Sequence, residues 1–359
     1  MGVARILTRA AAALLPVLTA ASVAPPPPPP EADWRRTDLF FEQGAYAEGR
    51  LWLLDLDGRL YSLAEGEPLV SPERIGEPLL ALCASAGRLF AVGGPREGAR
   101  RWTIRRREGR SWPVIATVAA RGETVIAFSC ADGRLLLLSS RRIIEASAPG
   151  MPAAPLSDRL FGLPATTIFL DAPAGTYIGI SVGEWGGGLH RIDPRTGRMT
   201  TIESNLSRSL CGGPLNTECD PVNGLLAAPG RPDCILATVG SLYGMRGRIV
   251  RVCGDRIERL YLRPYPMRGY PNEIAEDGEP NTTVPFFELA AFGDGGAIAL
   301  GLDGVYRLLR SGAVRRDPPP RFRRLGGVLV SFDDPDFVLV ARGIDLPTVP
   351  DYPLMLVPR

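Results

Sequence analysis

His190 is the only histidine in the chain. A serine-histidine-acid triad would have to be built on it, and a metal centre with several imidazoles is excluded. No Gly-x-Ser-x-Gly elbow accompanies it, and residues 188–193 read as a strand, so a structural or surface role is expected and no catalytic triad. The carboxylates suggest other chemistry. Glu42 and Glu288 stand at matching places in two copies of Phe-Phe-Glu. With Asp171, Asp220 or Asn223 they would offer oxygen ligands to a hard cation such as Ca²⁺, which in a hydrolase or lactonase would polarise a carbonyl and activate water. The competing reading makes each Glu a repeat consensus that caps a turn or pairs with Arg, leaving no metal site and no cofactor. Residues 55–58, Asp-Leu-Asp-Gly, match the opening of a Ca²⁺ loop but lack its later ligands and read as a turn.

Other residues point to binding rather than catalysis. Trp185 sits beside Gly186, Gly187 and Gly188, as a sugar-stacking ring on a tight turn would. Two long segments, 204–223 and 264–285, depart from the pattern of the rest. The first carries Cys211, Cys219 and Asn223, the second Tyr265 and Tyr270 among acidic and amide side chains. Loops of this length in a compact domain are often functional, which makes Trp185, Asn223, Tyr265 and Tyr270 the candidate ligand-binding residues. Arginines crowd around Trp102 and Trp112 and again over 315–324, either as a strip for an anionic ligand or as solvated outer strands protected from edge pairing.

The elements that would position these residues come from an internal repeat. Residues 40–63 align without gaps to residues 286–309, with ten of 24 positions identical, against roughly two expected by chance for such composition. Gly49 and the Asp57-Gly58 pair fall where hairpins need positive φ, and the runs between them are short, apolar and partly alternating. Each unit is a meander of strands. Its first turn recurs at Gly87, Gly133, Gly175, Arg231, Gly295 and Pro335, 38 to 64 residues apart, and its third strand recurs as GRLYSL, GGGLHRID, GRIVRV and GVYRLL. No window holds a helical period. The expected fold is all-β, a β-propeller of seven four-stranded antiparallel blades with six as the alternative count, closed by pairing residues 354–357 with residues 38–41. These repeats resemble the broad β-propeller superfamily in its secreted bacterial form. The resemblance implies architecture over residues 38–359 and no particular activity, since lactonases, lectins and scaffolds share the fold.

Residues 1–24 read as a secretory signal, with Arg5 and Arg9 ahead of an apolar run too short to span a bilayer comfortably, and residues 25–37 as a proline-rich spacer. Six cysteines in an exported chain imply disulfides. Cys234 and Cys253 face each other across a predicted hairpin, and Cys211 with Cys219 closes a small loop. Cys83 and Cys130 are left over, yet sit one place out of step in their repeats, which turns them to opposite faces of their sheets. A net charge of +2, with no Lys at all, gives no field for nucleic acid. The reading is of a secreted or periplasmic scaffold for a protein or an anionic or carbohydrate ligand, with the Ca²⁺-assisted hydrolase and the lectin-like module as alternatives.

Overall fold

The structure is a computed structural model that describes residues 33–37, 41–64, 72–148, 150–160, 166–182, 185–204, 211–241, 245–266, 280, 282–292, 295–317, 328–331, 337–342 and 352–358. They form seven antiparallel sheets, six of four strands and one of three, and no α-helix; a 3-10 turn lies at Ala131–Gly133. Blade 1 consists of Phe41–Ala47, Arg50–Asp55 and Leu60–Leu63. The following blades have as innermost strands Leu79–Ser85, Val125–Ser129, Thr166–Ala172, Val222–Ala227, Phe286–Phe292 and Val328–Ser331. Each innermost strand touches the next, and the last touches the first, so the sheets close a ring. The chain is a seven-bladed β-propeller whose first blade shows three strands among the described residues.

The core follows from the blades packing face to face. Leu136 and Leu138 join Ile178 and Ile192 of blade 4, whereas Leu137, between them, joins Phe90 and Trp102 of blade 2. A middle strand with both faces covered needs no polar alternation, which is why runs such as Leu136–Ser139 and Cys234–Ser241 are apolar nearly throughout. Similar layers lie between blades 1 and 2, 4 and 5, and 5 and 6. Burial of each large side chain in them is worth about 1.5 to 3 kcal/mol.

Two expectations about how the ring is fastened need revision. Closure uses Asp33–Thr37, which pairs antiparallel with Tyr352–Pro358, instead of residues 38–41, so the end of the segment read as spacer supplies the outermost strand of blade 7. Cys83 and Cys130 are bonded to each other, and so are Cys211–Cys219 and Cys234–Cys253. The objection that Cys83 and Cys130 point to opposite faces was in fact the condition for pairing. Neighbouring blades meet front to back, so a bond between blades 2 and 3 needs one cysteine from the front of one sheet and one from the back of the next.

The order of strands also fixes two unlike faces. Turns between first and second strands and between third and fourth strands share one face, the turn face. Turns between second and third strands, and the links from one blade to the next, share the other, the loop face.

Candidate functional site

At the loop face several innermost strands break their alternation. The register slips by one residue between Phe41 and Gln43, Leu79 and Ala81, Val222 and Gly224, and Phe286 and Leu289. Each slip is a β-bulge, which re-aims a side chain and ends local pairing. Glu42, Asn223 and Glu288 occupy these bulges, so the topology does bring them to one face. Asp171 is elsewhere: it lies at the turn-face end of its strand, where it takes hydrogen bonds from Arg134 and Thr176.

The carboxylates at the loop face do not converge. Glu42 pairs with Arg96 at 2.5 Å. Glu288 is half-buried on the neighbouring blade from Asn223, whose amide Nδ2 donates to the carbonyls of Gly240 at 2.6 Å and Phe286 at 2.9 Å and so stitches blade 5 to blade 6. The two blades approach so closely there that a Cβ on Gly240 would lie 2.0 Å from the Phe286 carbonyl oxygen. Among the described residues, the one cluster of three or more His, Cys, Asp or Glu ligand atoms is Asp233, Cys234 and Cys253, and both of its sulfurs are in a disulfide.

Asp220 is fully buried and salt-bridged to Arg248, and it also accepts a hydrogen bond from the Asn216 N–H at 2.6 Å. Burial pushes its carboxyl above the ordinary range, outweighing the opposing pull of Arg248. This pair belongs to a recurring clasp that sequence reasoning missed. Glu77, Glu123 and Asp220 each stand two residues before an innermost strand, and each pairs with an arginine of the third strand: Arg105, Arg142 and Arg248. Hydroxyls join in, Thr103 on Glu77 at 2.5 Å and Ser139 on Glu123 at 2.6 Å. The signal was present as an acid at a constant offset ahead of three strands, though visible only once strand boundaries are known.

In blade 5 the clasp has a further role. Arg248 Nε donates to the Pro214 carbonyl at 2.7 Å, which together with Asp220 holds the loop stapled by Cys211–Cys219. That loop supports the turn between the second and third strands of blade 4. Gly187 N donates to Thr217 O at 3.0 Å and Gly188 N to Asp220 O at 2.9 Å. A Cβ on Gly186 would come within 2.4 Å of the Glu218 backbone, so only glycine allows this contact. On top of the turn stands Trp185, 74% exposed.

The remaining candidates have quieter places. Tyr265 is partly buried against the core between blades 5 and 6, and its backbone is tied to Thr282 at the base of the 264–285 segment. Tyr270 lies outside the described residues, as do Arg321, Arg323 and Arg324. Around Trp102 and Trp112, both buried, the arginines are largely engaged: Arg105 with Glu77, Arg106 with Glu108, and Arg107 with Glu48 and over the Trp52 ring. The Asp55 carboxylate accepts the N–H groups of Asp57 and Arg59, which makes residues 55–58 a turn. His190 Nε2 donates to the Gly187 carbonyl at 3.1 Å, and its Nδ1 then accepts from the Thr201 hydroxyl at 3.3 Å. In the neutral ring the Gly187 carbonyl selects the Nε2–H tautomer, and the contacts on the ring are a carbonyl and a threonine hydroxyl.

No protein-family model matches the chain, and no curated protein does. Among solved structures it is similar to the extracellular domain of a one-component system from B. thetaiotaomicron, at 13% identity and a TM-score of 0.48 over 89% of this chain and 38% of that one. The extracellular domain of a hybrid two-component system from B. thetaiotaomicron matches at 12% identity and a TM-score of 0.49, over 89% and 39%. A gluconolactonase from Xanthomonas campestris matches at 13% identity and a TM-score of 0.40, over 89% and 86%. The chain spans well under half the length of the two B. thetaiotaomicron structures. At these identities the likeness is one of fold, and the reading of function returns to the loop face, where an exposed indole stands on a stapled support and Glu42, Glu77, Glu123 and Asp220 are each held by an arginine.

Proposed function

We propose that this chain is an exported, non-catalytic binding propeller that takes a saccharide on its loop face, with the Trp185 indole as the stacking surface. The observation that carries this reading is the exposure of Trp185 on a support that cannot easily move. A large aromatic face left in water has no stabilising role in the fold, whereas a rigid one offers a sugar ring a contact without an ordering cost. The loop stapled by Cys211–Cys219 carries the turn on which it stands. Export is supported by the leader-like first 24 residues and by three disulfides, which persist in oxidising compartments. A carboxylate-based hydrolase would require Glu42 and Asp220 to leave their arginines, and nothing in their geometry favours that.

The test is a glycan array probed with the mature protein, followed by titration of the best ligand against Trp185→Ala. Binding is expected to weaken roughly tenfold, equivalent to about 1.4 kcal/mol, while the melting temperature stays unchanged because the indole is outside the core. A wild type that binds no glycan, or a variant that binds as well as wild type, would sink the proposal.

A further inference from the structure

The turn face carries a feature that the loop-face reading does not use. A cleft of about 1200 Å³ lies between blades 3 and 4, with four arginines and four carboxylates on its walls. We infer that this cleft is a second, independent site for an acidic saccharide, binding a carboxylate on Arg195 and Arg198 and sugar hydroxyls on Glu145 and Asp171.

Two groups of charge stand apart in the cleft. Where the blades meet, Arg134 of blade 3 bridges Glu145 of its own blade and Asp171 of blade 4, each at 3.2 Å, which offsets half of their combined charge and leaves both carboxylates with lone pairs to accept from hydroxyls. On the blade 4 side the turn after Gly187–Ile192 presents Arg195 and Arg198. Neither guanidinium is in a salt bridge among the described residues, and only Asp193, in the same turn, feels the charge of Arg195. The nearby Asp193 carboxylate is held within its own turn by the Arg195 N–H at 2.9 Å and the Thr196 hydroxyl at 2.8 Å. Asp255 lies 3.9 Å from Arg191 and is 93% exposed, too loose to neutralise the turn. The turn therefore offers forked donors that suit a carboxylate, and the Glu145–Arg134–Asp171 bridge offers acceptors that suit hydroxyls. A volume of this size fits a short oligosaccharide and exceeds what a bare anion needs.

The arginine wall is built into the ring. Ser157 N of blade 3 donates to the Gly197 carbonyl at 2.9 Å, and Ser157 Oγ accepts from Met199 N at 2.9 Å. Gly197 has φ +72°, and a Cβ there would lie 1.8 Å from the Pro155 carbonyl oxygen, so this turn touches the neighbouring blade in a way only glycine permits. A turn bolted to the next blade holds the backbone that carries both arginines, so binding need not order the turn itself.

Calorimetric titration of the mature protein with tetragalacturonate, cellotetraose and inorganic phosphate tests the inference. Tetragalacturonate is expected to bind and the neutral tetrasaccharide and phosphate to bind at least tenfold more weakly. Arg195→Ala/Arg198→Ala should weaken tetragalacturonate at least tenfold, as should 0.5 M NaCl, while Trp185→Ala leaves it unchanged. Both arginines are exposed and the turn is held by backbone contacts, so melting curves should show the double variant folded, and Arg198→Glu serves if they do not. The inference fails if tetragalacturonate does not bind, if the arginine variants bind it as wild type does, or if phosphate or the neutral sugar binds equally well. Loss on Trp185→Ala alone would assign the acidic sugar to the loop face and overturn the turn-face site.

Discussion

The lone imidazole shows how burial decides the role of a residue type that usually signals catalysis. His190 lies under its sheet neighbours, and desolvation lowers its pKa, although the Gly187 carbonyl and the carboxylates of Asp158 and Glu203 pull upward. In the unfolded chain its pKa returns to roughly 6.5. Between the folded and unfolded values the unfolded state binds the extra proton, so the contribution of His190 is present at higher pH and is lost as pH falls through about 6.5, levelling off below the folded pKa. With one histidine in the chain, its ring carbons give a single titrating set in an NMR spectrum. The midpoint is expected below the ordinary imidazole range. Replacing it by Gln should flatten the acid side of the stability profile, and a midpoint at or above 6.5 would contradict the half-buried, neutral assignment. The sequence conveyed that any triad would depend on His190 alone, but not what Asp220 does. Its partner Arg248 is 28 residues away, and only the fold shows that this carboxylate anchors a loop.

Strands and turns were the most legible level. Gly49 and Gly87 sit at positive φ in hairpins between first and second strands, as the repeat required, and Gly133, Gly230 and Gly295 mark corresponding turns. Bulges were not legible, because an extra residue in a strand leaves composition and period almost unchanged. The acid-arginine clasps were hidden for a similar reason: each joins segments 19 to 28 residues apart whose relation depends on register. They carry a prediction about magnitude. Glu123 and Arg142 are buried, 5% and 11% exposed at their side chains, whereas Asp57 and Arg59 on the turn of blade 1 are 66% and 58% exposed. Removing one partner of a buried pair leaves a charge stranded, at a cost of about 3 to 5 kcal/mol. Removing one partner of an exposed pair costs under about 1 kcal/mol. Denaturant unfolding of Glu123→Ala and Asp57→Ala should show that contrast, and equal losses would mean the clasp is ornamental.

At the scale of the ring, the sequence foretold closure but misplaced its fastening. Outermost strands lie at the rim and lose their apolar alternation there, as Val114–Ala119 and Arg256–Tyr261 show with mostly exposed or half-buried residues. Asp33–Thr37, with Arg35 and Arg36 next to a proline run, has the same polar character and so read as spacer. Yet it pairs over five positions with Tyr352–Pro358 and thus joins the two ends of the chain in one sheet. Each blade keeps only its outermost strand at the rim, and in blade 7 that strand, short and polar, covers the longer apolar edge of Tyr352–Pro358. A chain beginning at residue 31 should therefore melt like the longest mature form. One beginning at residue 38 should melt at a lower temperature, because the edge of Tyr352–Pro358 is uncovered and the last blade is freed from the N-terminal side. The same uncovered edge invites pairing with a second chain, so the shorter form is expected to elute partly as dimers in size exclusion, at proportions that rise with concentration. Adding back a peptide of residues 31–37 should reverse both effects by mass action. Equal melting temperatures for the two truncations would show that the ring holds through the contacts between its innermost strands, and that the pairing of the chain ends contributes little.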